Sequence, residues 1–376
     1  MRFRKAAAAL AALYTVVSCA LPARAVSPAP QTGAQAAILV EADTGVPLWE
    51  HNADEPMLIA STTKILTALL TIERCSPDEP VEVTWAHASV EGSSMYLKPG
   101  EPYTVEQLLY GLMLASGNDA ALALACHVAG SPEAFAELMN ERAAELGMEH
   151  SHFENPHGLD GKNHRASARD MARLTVAAMK NKTFRHIVSC KTYSVGENTY
   201  RNHNKLLWNC PGCIGVKTGY TNAAGRSLIS CCQRDGMTLI CITLGDSDDW
   251  NDHMALYDWA FSTYERVPLS SLAALPRVPI VSGVLADVGV EAAEDVLVPV
   301  ARTERPAASV ELPAFVFAGV HRGERAGCIW LRYGEERVTV PLVYAADAPE
   351  AKGIRLTLPE RLLRLSRLQG VYYPAF

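Results

Sequence analysis

Ser61 and Lys64 stand one helical turn apart in the segment Leu58-Ile59-Ala60-Ser61-Thr62-Thr63-Lys64, just ahead of an apolar run. Ile65, Leu66, Ala68, Leu69, Leu70 and Ile72 make the helix predicted from Ser61 onward apolar nearly all round, so it is expected to be buried. An unpaired ammonium is costly in such a place, and a helix N-terminus disfavours positive charge. Both effects lower a lysine's pKa and favour the neutral amine. With Cβ atoms roughly 5–6 Å apart, a neutral lysine can take the serine's proton and turn the hydroxyl into a nucleophile. The bland reading makes Ser61 an N-cap and Lys64 a solvated first-turn lysine. The cap is compatible with catalysis; a solvated lysine is not compatible with a buried helix.

Two more short motifs follow in order. Ser116-Gly117-Asn118 lies in a polar break between the apolar helices expected at 105–114 and 120–128. Ser116 and Asn118 could merely cap those helices. Aimed into a cleft, Ser116 would relay a proton between Lys64 and a leaving amine, and Asn118 would hold the substrate's peptide group. Lys217-Thr218-Gly219 closes the β-like run Ile214-Gly215-Val216, with a glycine on either side that lets another backbone approach. An edge strand here would accept a peptide as an added strand. Lys217 and Thr218 would then bind a free terminal carboxylate, and the N–H groups of Ser61 and Tyr220 would form an oxyanion hole. The alternative is a turn carrying a surface lysine. Singly these motifs are weak, since S-x-x-K arises by chance about once in a chain of this length. Their order and contexts carry the reading.

The set S-x-x-K, S-x-N and K-T-G occurs in β-lactamases and penicillin-binding proteins. The surroundings narrow it. Ala115-Ser116-Gly117-Asn118-Asp119-Ala120, Gly215-Val216-Lys217-Thr218-Gly219-Tyr220-Thr221, Glu91-Gly92-Ser93-Ser94-Met95 and Asn155-Pro156-His157-Gly158-Leu159 closely resemble the serine D-alanyl-D-alanine carboxypeptidases, the low-molecular-mass penicillin-binding proteins. The resemblance covers about residues 35 to 265 strongly and the rest more loosely. It implies removal of the terminal D-alanine from peptidoglycan stem pentapeptides through an acyl-enzyme on Ser61, and acylation by β-lactams. It also implies a β-rich domain after the catalytic one and a C-terminal amphipathic helix on the membrane. A D,D-endopeptidase or a serine β-lactamase would use the same chemistry. No convincing Glu-x-x-x-Asn element lies between Asn118 and Lys217, as a class A β-lactamase would need. A non-catalytic cell-wall-binding protein would have no need of intact motifs.

The elements that must position these residues read as strand, helices, strands, helix. Residues 37–42 and 47–50 form a hairpin, 132–146 and 167–180 are amphipathic helices, 228–232 and 237–244 are β-rich, and 250–264 is a closing helix. The expected fold class is α/β (α+β): an antiparallel sheet flanked by helices, with an inserted helical subdomain. Short β-like runs at 278–281, 296–300, 309–312, 328–333 and 337–343 then suggest a small β-rich domain. The expected organisation is a signal peptide over 1–25, a linker over 26–36, a catalytic domain over 37–266, a β-rich domain over 267–357 and a helical tail over 358–376.

Arg2, Arg4 and Lys5 precede a short apolar run and Ala23-Arg24-Ala25, the pattern of a cleaved export signal. Cys19 offers a lipoprotein alternative. Either way the mature chain is expected in the cell envelope. In the tail, Leu358, Leu362 and Leu365 share a face while Leu363 and Leu368 fall outside it. The helix is a candidate anchor on the outer face of the cytoplasmic membrane, or a helix packed on the β-rich domain. A net charge of −7 gives no support to nucleic-acid binding. Nine of the ten cysteines follow Ala25, an odd number. Cys210-Pro211-Gly212-Cys213 sits in a loop and not at a strand-to-helix turn, so a local disulfide or two free thiols is expected over a redox pair. His150, His152, His157 and His164 lack the spacing of a helical zinc pair. No metal or cofactor is expected. Asp246, Asp248 and Asp249 are read as caps of the closing helix.

Overall fold

The computed structural model describes residues 28–281, 283–350 and 357–358. The expected export signal and tail helix fall outside them, apart from Leu358.

The central feature is a five-stranded antiparallel sheet. Its spatial order is Pro47–His51, Ala36–Glu41, Met237–Leu244, Gly225–Arg234, Cys213–Thr221. The chain's first two strands thus pair beside three that come much later in the sequence. Alternation along each strand divides the side chains between two faces. Ala36, Ile38, Val40, Ile229, Cys231, Ile240 and Ile242 join the helices of the inserted region. Leu39, Leu228, Cys232, Leu239 and Cys241 face the closing helix Asp249–Thr263 through Leu256, Tyr257 and Ala260. Both faces are covered, which is why these strands read as near-continuous apolar runs.

The helices Lys64–Arg74, Val105–Leu114, Asn118–Ala129, Pro132–Glu145 and Ala168–Lys180 fall close to the expected spans. A further helix, Lys182–Ser189, and a hairpin, Thr192–Val195 with Asn198–Arg201, had no expectation. The helix's first turn is Lys182-Thr183-Phe184-Arg185, and it buries Phe184, Ile187 and Val188. Eight residues are too few for a periodic signal to stand out from its polar flanks. The fold class matches the α+β expectation.

Four details differ from the reading above. Ser61 is not an N-cap: it lies in a 3-10 turn, Ala60–Thr63, and the α-helix starts at Lys64. The polar break ends earlier than expected, since Asn118 already opens the next helix. The motif Lys217-Thr218-Gly219 lies within the strand Cys213–Thr221 and does not end it. The three aspartates do not form side-chain caps on the closing helix: Asp248 makes no capping bond, and Asp249 turns to Arg226. Asp246 instead accepts the Asp248 N–H at 3.0 Å.

After Tyr264 the chain builds small sheets around a separate apolar cluster that includes Leu269, Val278, Ile280, Val298, Ile329 and Leu342. The longest strands there are Arg325–Tyr333 and Glu336–Tyr344, an antiparallel hairpin. The strand Tyr264–Pro268 pairs with Leu297–Ala301 and links the two cores. Arg266, from that strand, pairs with Asp43 at 2.6 Å.

One close approach fixes the turn before the helix Lys64–Arg74. Gly158 has φ +88°, and a Cβ there would sit 1.9 Å from the Ala60 carbonyl oxygen. Both the backbone conformation and the space exclude a side chain. Gly158→Ala should therefore lower unfolding stability by about 3 kcal/mol, read as a shift of the urea midpoint. A shift of a few tenths would mean that the 155–160 loop does not brace this turn.

Candidate active site

Lys64 Nζ is the centre of the site. The side chain is 0% exposed. Its nitrogen lies 2.9 Å from Ser61 Oγ, 2.7 Å from Asn118 Oδ1 and 2.6 Å from the His157 carbonyl oxygen. An amide oxygen and a peptide carbonyl can only accept, whereas a hydroxyl can also donate. A neutral amine has two N–H donors and one lone pair. Its donors match Asn118 and His157, and its lone pair faces the Ser61 O–H. Burial drives the Lys64 pKa well below its ordinary value, and the charge of Lys217 pushes in the same direction, against Asp119. The arrangement can therefore take a proton from Ser61 without first losing one to water.

Ser61 is held by the turn that carries it. Ala60 has φ +47°, an unfavourable conformation for a residue with a Cβ. Two threonines brace it. Thr62 Oγ1 donates to the Ile59 carbonyl at 2.6 Å, and Thr63 Oγ1 donates to the Ala60 carbonyl at 2.8 Å. His164 supports Thr63 from behind at 2.7 Å. Its other nitrogen, Nδ1, accepts the Glu154 N–H at 3.0 Å. Nε2 therefore carries the ring proton and points it at Thr63. Burial keeps this histidine neutral, with a pKa of about 4.

The second wall comes from the break between two helices. Ser116 has φ +60°. Its hydroxyl accepts from Lys217 Nζ at 3.0 Å, so in this arrangement Ser116 faces Lys217 and not Lys64. Asn118 is committed on both sides of its amide, to Lys64 and to the Glu91 carbonyl at 2.6 Å. Its geometry suits positioning Lys64 as well as meeting a substrate. Lys217 is as buried as Lys64, at 1% exposed, and also donates to the Thr218 carbonyl at 2.8 Å. Burial brings its pKa down to about 7.

The third wall is the strand Cys213–Thr221, which is an edge of the sheet, as its expected role requires. Gly219 lies against the nucleophile turn: a Cβ there would be 3.0 Å from the Ile59 carbonyl oxygen and 3.1 Å from the Ser61 nitrogen. A larger residue would push the strand off the turn. This proximity brings the backbone at Gly219-Tyr220 beside the Ser61 N–H, the pair that could receive an oxyanion. A cleft of about 390 Å³ is lined by Ser61, Ser116, Thr218, Gly219 and Tyr220, among others. All eight expected residues are thus assembled at or around one cleft, with Lys64, Asn118 and Lys217 in its buried floor.

Sequence reasoning missed several supporting residues. Asp119 anchors the loop that faces Ser61: its carboxylate accepts the N–H groups of Met95 at 3.0 Å and Leu97 at 3.1 Å, and the Ser94 hydroxyl at 2.6 Å. An acid in the first turn of an otherwise apolar helix was the available signal. Arg226 and Trp250 line the cleft, with the guanidinium 5.5 Å from the indole centre. They come from a strand and a helix with no motif, so nothing in the sequence joins them. Cys210 and Cys213 are free thiols. Cys210 contacts Cys232 and Arg234, which together bring its pKa down to about 6. Away from the cleft, donor atoms of Cys75, Glu79 and His127 lie within 4.8 Å of one another.

The D-alanyl-D-alanine carboxypeptidase family model matches residues 23–248. The chain is 37% identical over 249 residues to the D-alanyl-D-alanine carboxypeptidase DacF of Bacillus subtilis, an alignment covering 63% of this chain and 64% of that protein. It is 34% identical to DacB2 of Mycobacterium tuberculosis, covering 65% of this chain and 88% of that one. Among solved structures, penicillin binding protein 5 from Haemophilus influenzae superposes with a TM-score of 0.74 at 26% identity, over 86% of this chain and 99% of that chain.

Two ionisable amines in one buried site predict a pH signature. With Lys64 as the base, the neutral form is the active one, so acylation of Ser61 by a β-lactam should rise with pH through the lowered Lys64 pKa. Removing the neighbouring charge with Lys217→Met makes protonation of Lys64 easier and raises that pKa. The acid limb of the labelling-rate profile should then move to higher pH. An unmoved limb would show that the two amines are not coupled.

Proposed function

The chain belongs to the D-alanyl-D-alanine carboxypeptidase family, and from that premise we propose that it is a serine peptidase of the cell envelope that removes the terminal D-alanine from peptidoglycan stem pentapeptides. The observation that carries this reading is the fully buried Lys64 Nζ 2.9 Å from Ser61 Oγ, where burial and the neighbouring Lys217 favour a neutral amine.

In the proposed reaction Ser61 Oγ attacks the carbonyl of the penultimate D-alanine, and its proton passes to Lys64 Nζ. The N–H groups of Ser61 and Tyr220 receive the oxyanion. Collapse breaks the peptide bond. The departing D-alanine amine takes the proton held by Lys64, passed on through the Ser116 hydroxyl, which leaves Lys64 neutral for the next step. Thr218 and Lys217 attract the terminal carboxylate, Thr218 by its hydroxyl and Lys217 by its charge. Asn118 orients Lys64 and meets the substrate's peptide group. Water then attacks the acyl-enzyme, with Lys64 as its base, and releases the shortened peptide. A β-lactam follows the first half of this path and stops at the acyl-enzyme. The substrate peptide lies along the edge strand Cys213–Thr221 as an added strand.

The proposal includes export by the signal segment over 1–25 and attachment of the tail over 358–376 to the outer face of the membrane. Among the described residues no helix is long and apolar enough to cross a membrane.

Fluorescent penicillin should label the wild-type chain, and Ser61→Ala should abolish the label. Lys64→Ala should cut the acylation rate by on the order of a thousandfold while the protein still melts cooperatively. Mass spectrometry of a synthetic pentapeptide ending in D-Ala-D-Ala should show loss of one alanine. Cleavage of a cross-linked dimeric peptide with the monomer untouched would replace this reading with an endopeptidase, and undiminished labelling of the Ser61→Ala chain would end it.

A further inference from the structure

The cleft at Ser61 opens sideways. Ser93 and His203 line both that cleft and a wider cavity of about 1020 Å³. The cavity is walled by the loop carrying Ser93 and Tyr96, by the hairpin strand Asn198–Arg201, and by the segment up to Asn209. Nothing in the proposed bond-breaking sequence uses it.

Its charge is one-sided. Arg201 and Lys205 line it, and no aspartate or glutamate does. The chain as a whole carries a net charge of −7, so this basic patch runs against the general balance. Among the described residues, the ion pairs found involve neither cation. Arg201 is instead held by stacking: its guanidinium carbon lies 4.7 Å from the centre of the Trp208 ring. Lys191 Nζ approaches the same ring at 5.8 Å. Stacking fixes the plane of a guanidinium and leaves its N–H edge free for a planar acceptor. A carboxylate matches that edge in two parallel hydrogen bonds. It would also relieve the repulsion between cations gathered on one indole. Trp208 stays 37% exposed, so its ring remains available as the platform.

Reach is consistent with a group on the substrate itself. An extended peptide advances about 3.4 Å per residue, so a side chain one residue from the scissile unit can cross from the Ser61 cleft into its neighbour.

We propose that the Arg201–Lys205–Trp208 cavity is a subsite for a carboxylate carried by the side chain of the stem peptide's third residue. The preferred substrate is then a pentapeptide whose third residue is a diaminodicarboxylic acid, in preference to one with lysine there. This deepens the peptidase reading and rests on it.

The test compares two D-Ala-D-Ala pentapeptides that differ at the third residue, one with a diaminodicarboxylic acid and one with lysine. The wild-type chain should favour the former by about tenfold in kcat/KM. In Arg201→Gln/Lys205→Gln that ratio should fall toward one, and Arg201→Lys should restore part of it. Equilibrium binding of the same peptides to the Ser61→Ala chain, followed by tryptophan fluorescence, should give the same ratio in Kd. A ratio near one in the wild type, or an unchanged ratio in the double variant, overturns the subsite. If neither peptide is hydrolysed, the peptidase reading fails, and the binding ratio still decides the subsite.

Discussion

A fully buried lysine amine, with two pure acceptors and one hydroxyl around it, is the constraint on which the rest of this structure depends. Leaving a charged ammonium there would cost several kcal/mol even after relaxation. Burial and the nearby Lys217 amine tip the balance toward the neutral form. In that form the lone pair can face the Ser61 hydroxyl. The same burial that would make Lys64 a defect in an ordinary core suits it to the proposed role of base. The second buried amine, Lys217, reinforces this from across the cleft, because two nearby positive charges oppose each other in a poorly screened interior.

That constraint explains why so much of the surrounding structure is devoted to bracing. The Ser61 turn holds a non-glycine residue at positive φ, and so does Ser116 on the opposite wall. Each such residue costs about 1–3 kcal/mol and persists only where its neighbours over-determine it. Thr62, Thr63 and His164 do this for the nucleophile turn, and Asp119 does it for the loop facing it. The edge strand contributes in another way. Gly219 and Gly158 keep their sites free of side-chain atoms, so the strand and the 155–160 loop can lie directly against the turn. The reactive groups sit on a rigid set of backbones whose contacts involve few ordinary side chains.

The arrangement of the sheet serves the same end. Both faces are covered, one by the inserted helices and one by the closing helix. The free hydrogen-bonding edge beside Ser61 is the one carrying Lys217-Thr218-Gly219. A peptide can pair there while its scissile carbonyl meets the serine. The apolar cluster built after Tyr264 lies outside these contacts and is tied to the sheet region through the strand Tyr264–Pro268 and the Arg266 ion pair.

The candidate reacting groups were legible in the chain because their relation is local. Ser61 and Lys64 are one turn apart, and an apolar run after them already implies burial. The main helices and the strands of the central sheet were legible for the same reason, since their periodicity and turn residues are written within a dozen positions. The contacts around the amine were not legible. Asn118 lies 54 positions from Lys64 and His157 lies 93 away. The pairing of Ser116 with Lys217 spans 101. Contacts of that kind follow from how sheet and helices close on each other, and no periodicity records them. Arg226 and Trp250 are invisible in the sequence for the same reason, as is the gathering of Arg201, Lys205 and Trp208 on one cavity. By itself the sequence determined which atoms can react. Tertiary packing alone decided which groups set their protonation and what lies beside them, because those properties depend on distance in space.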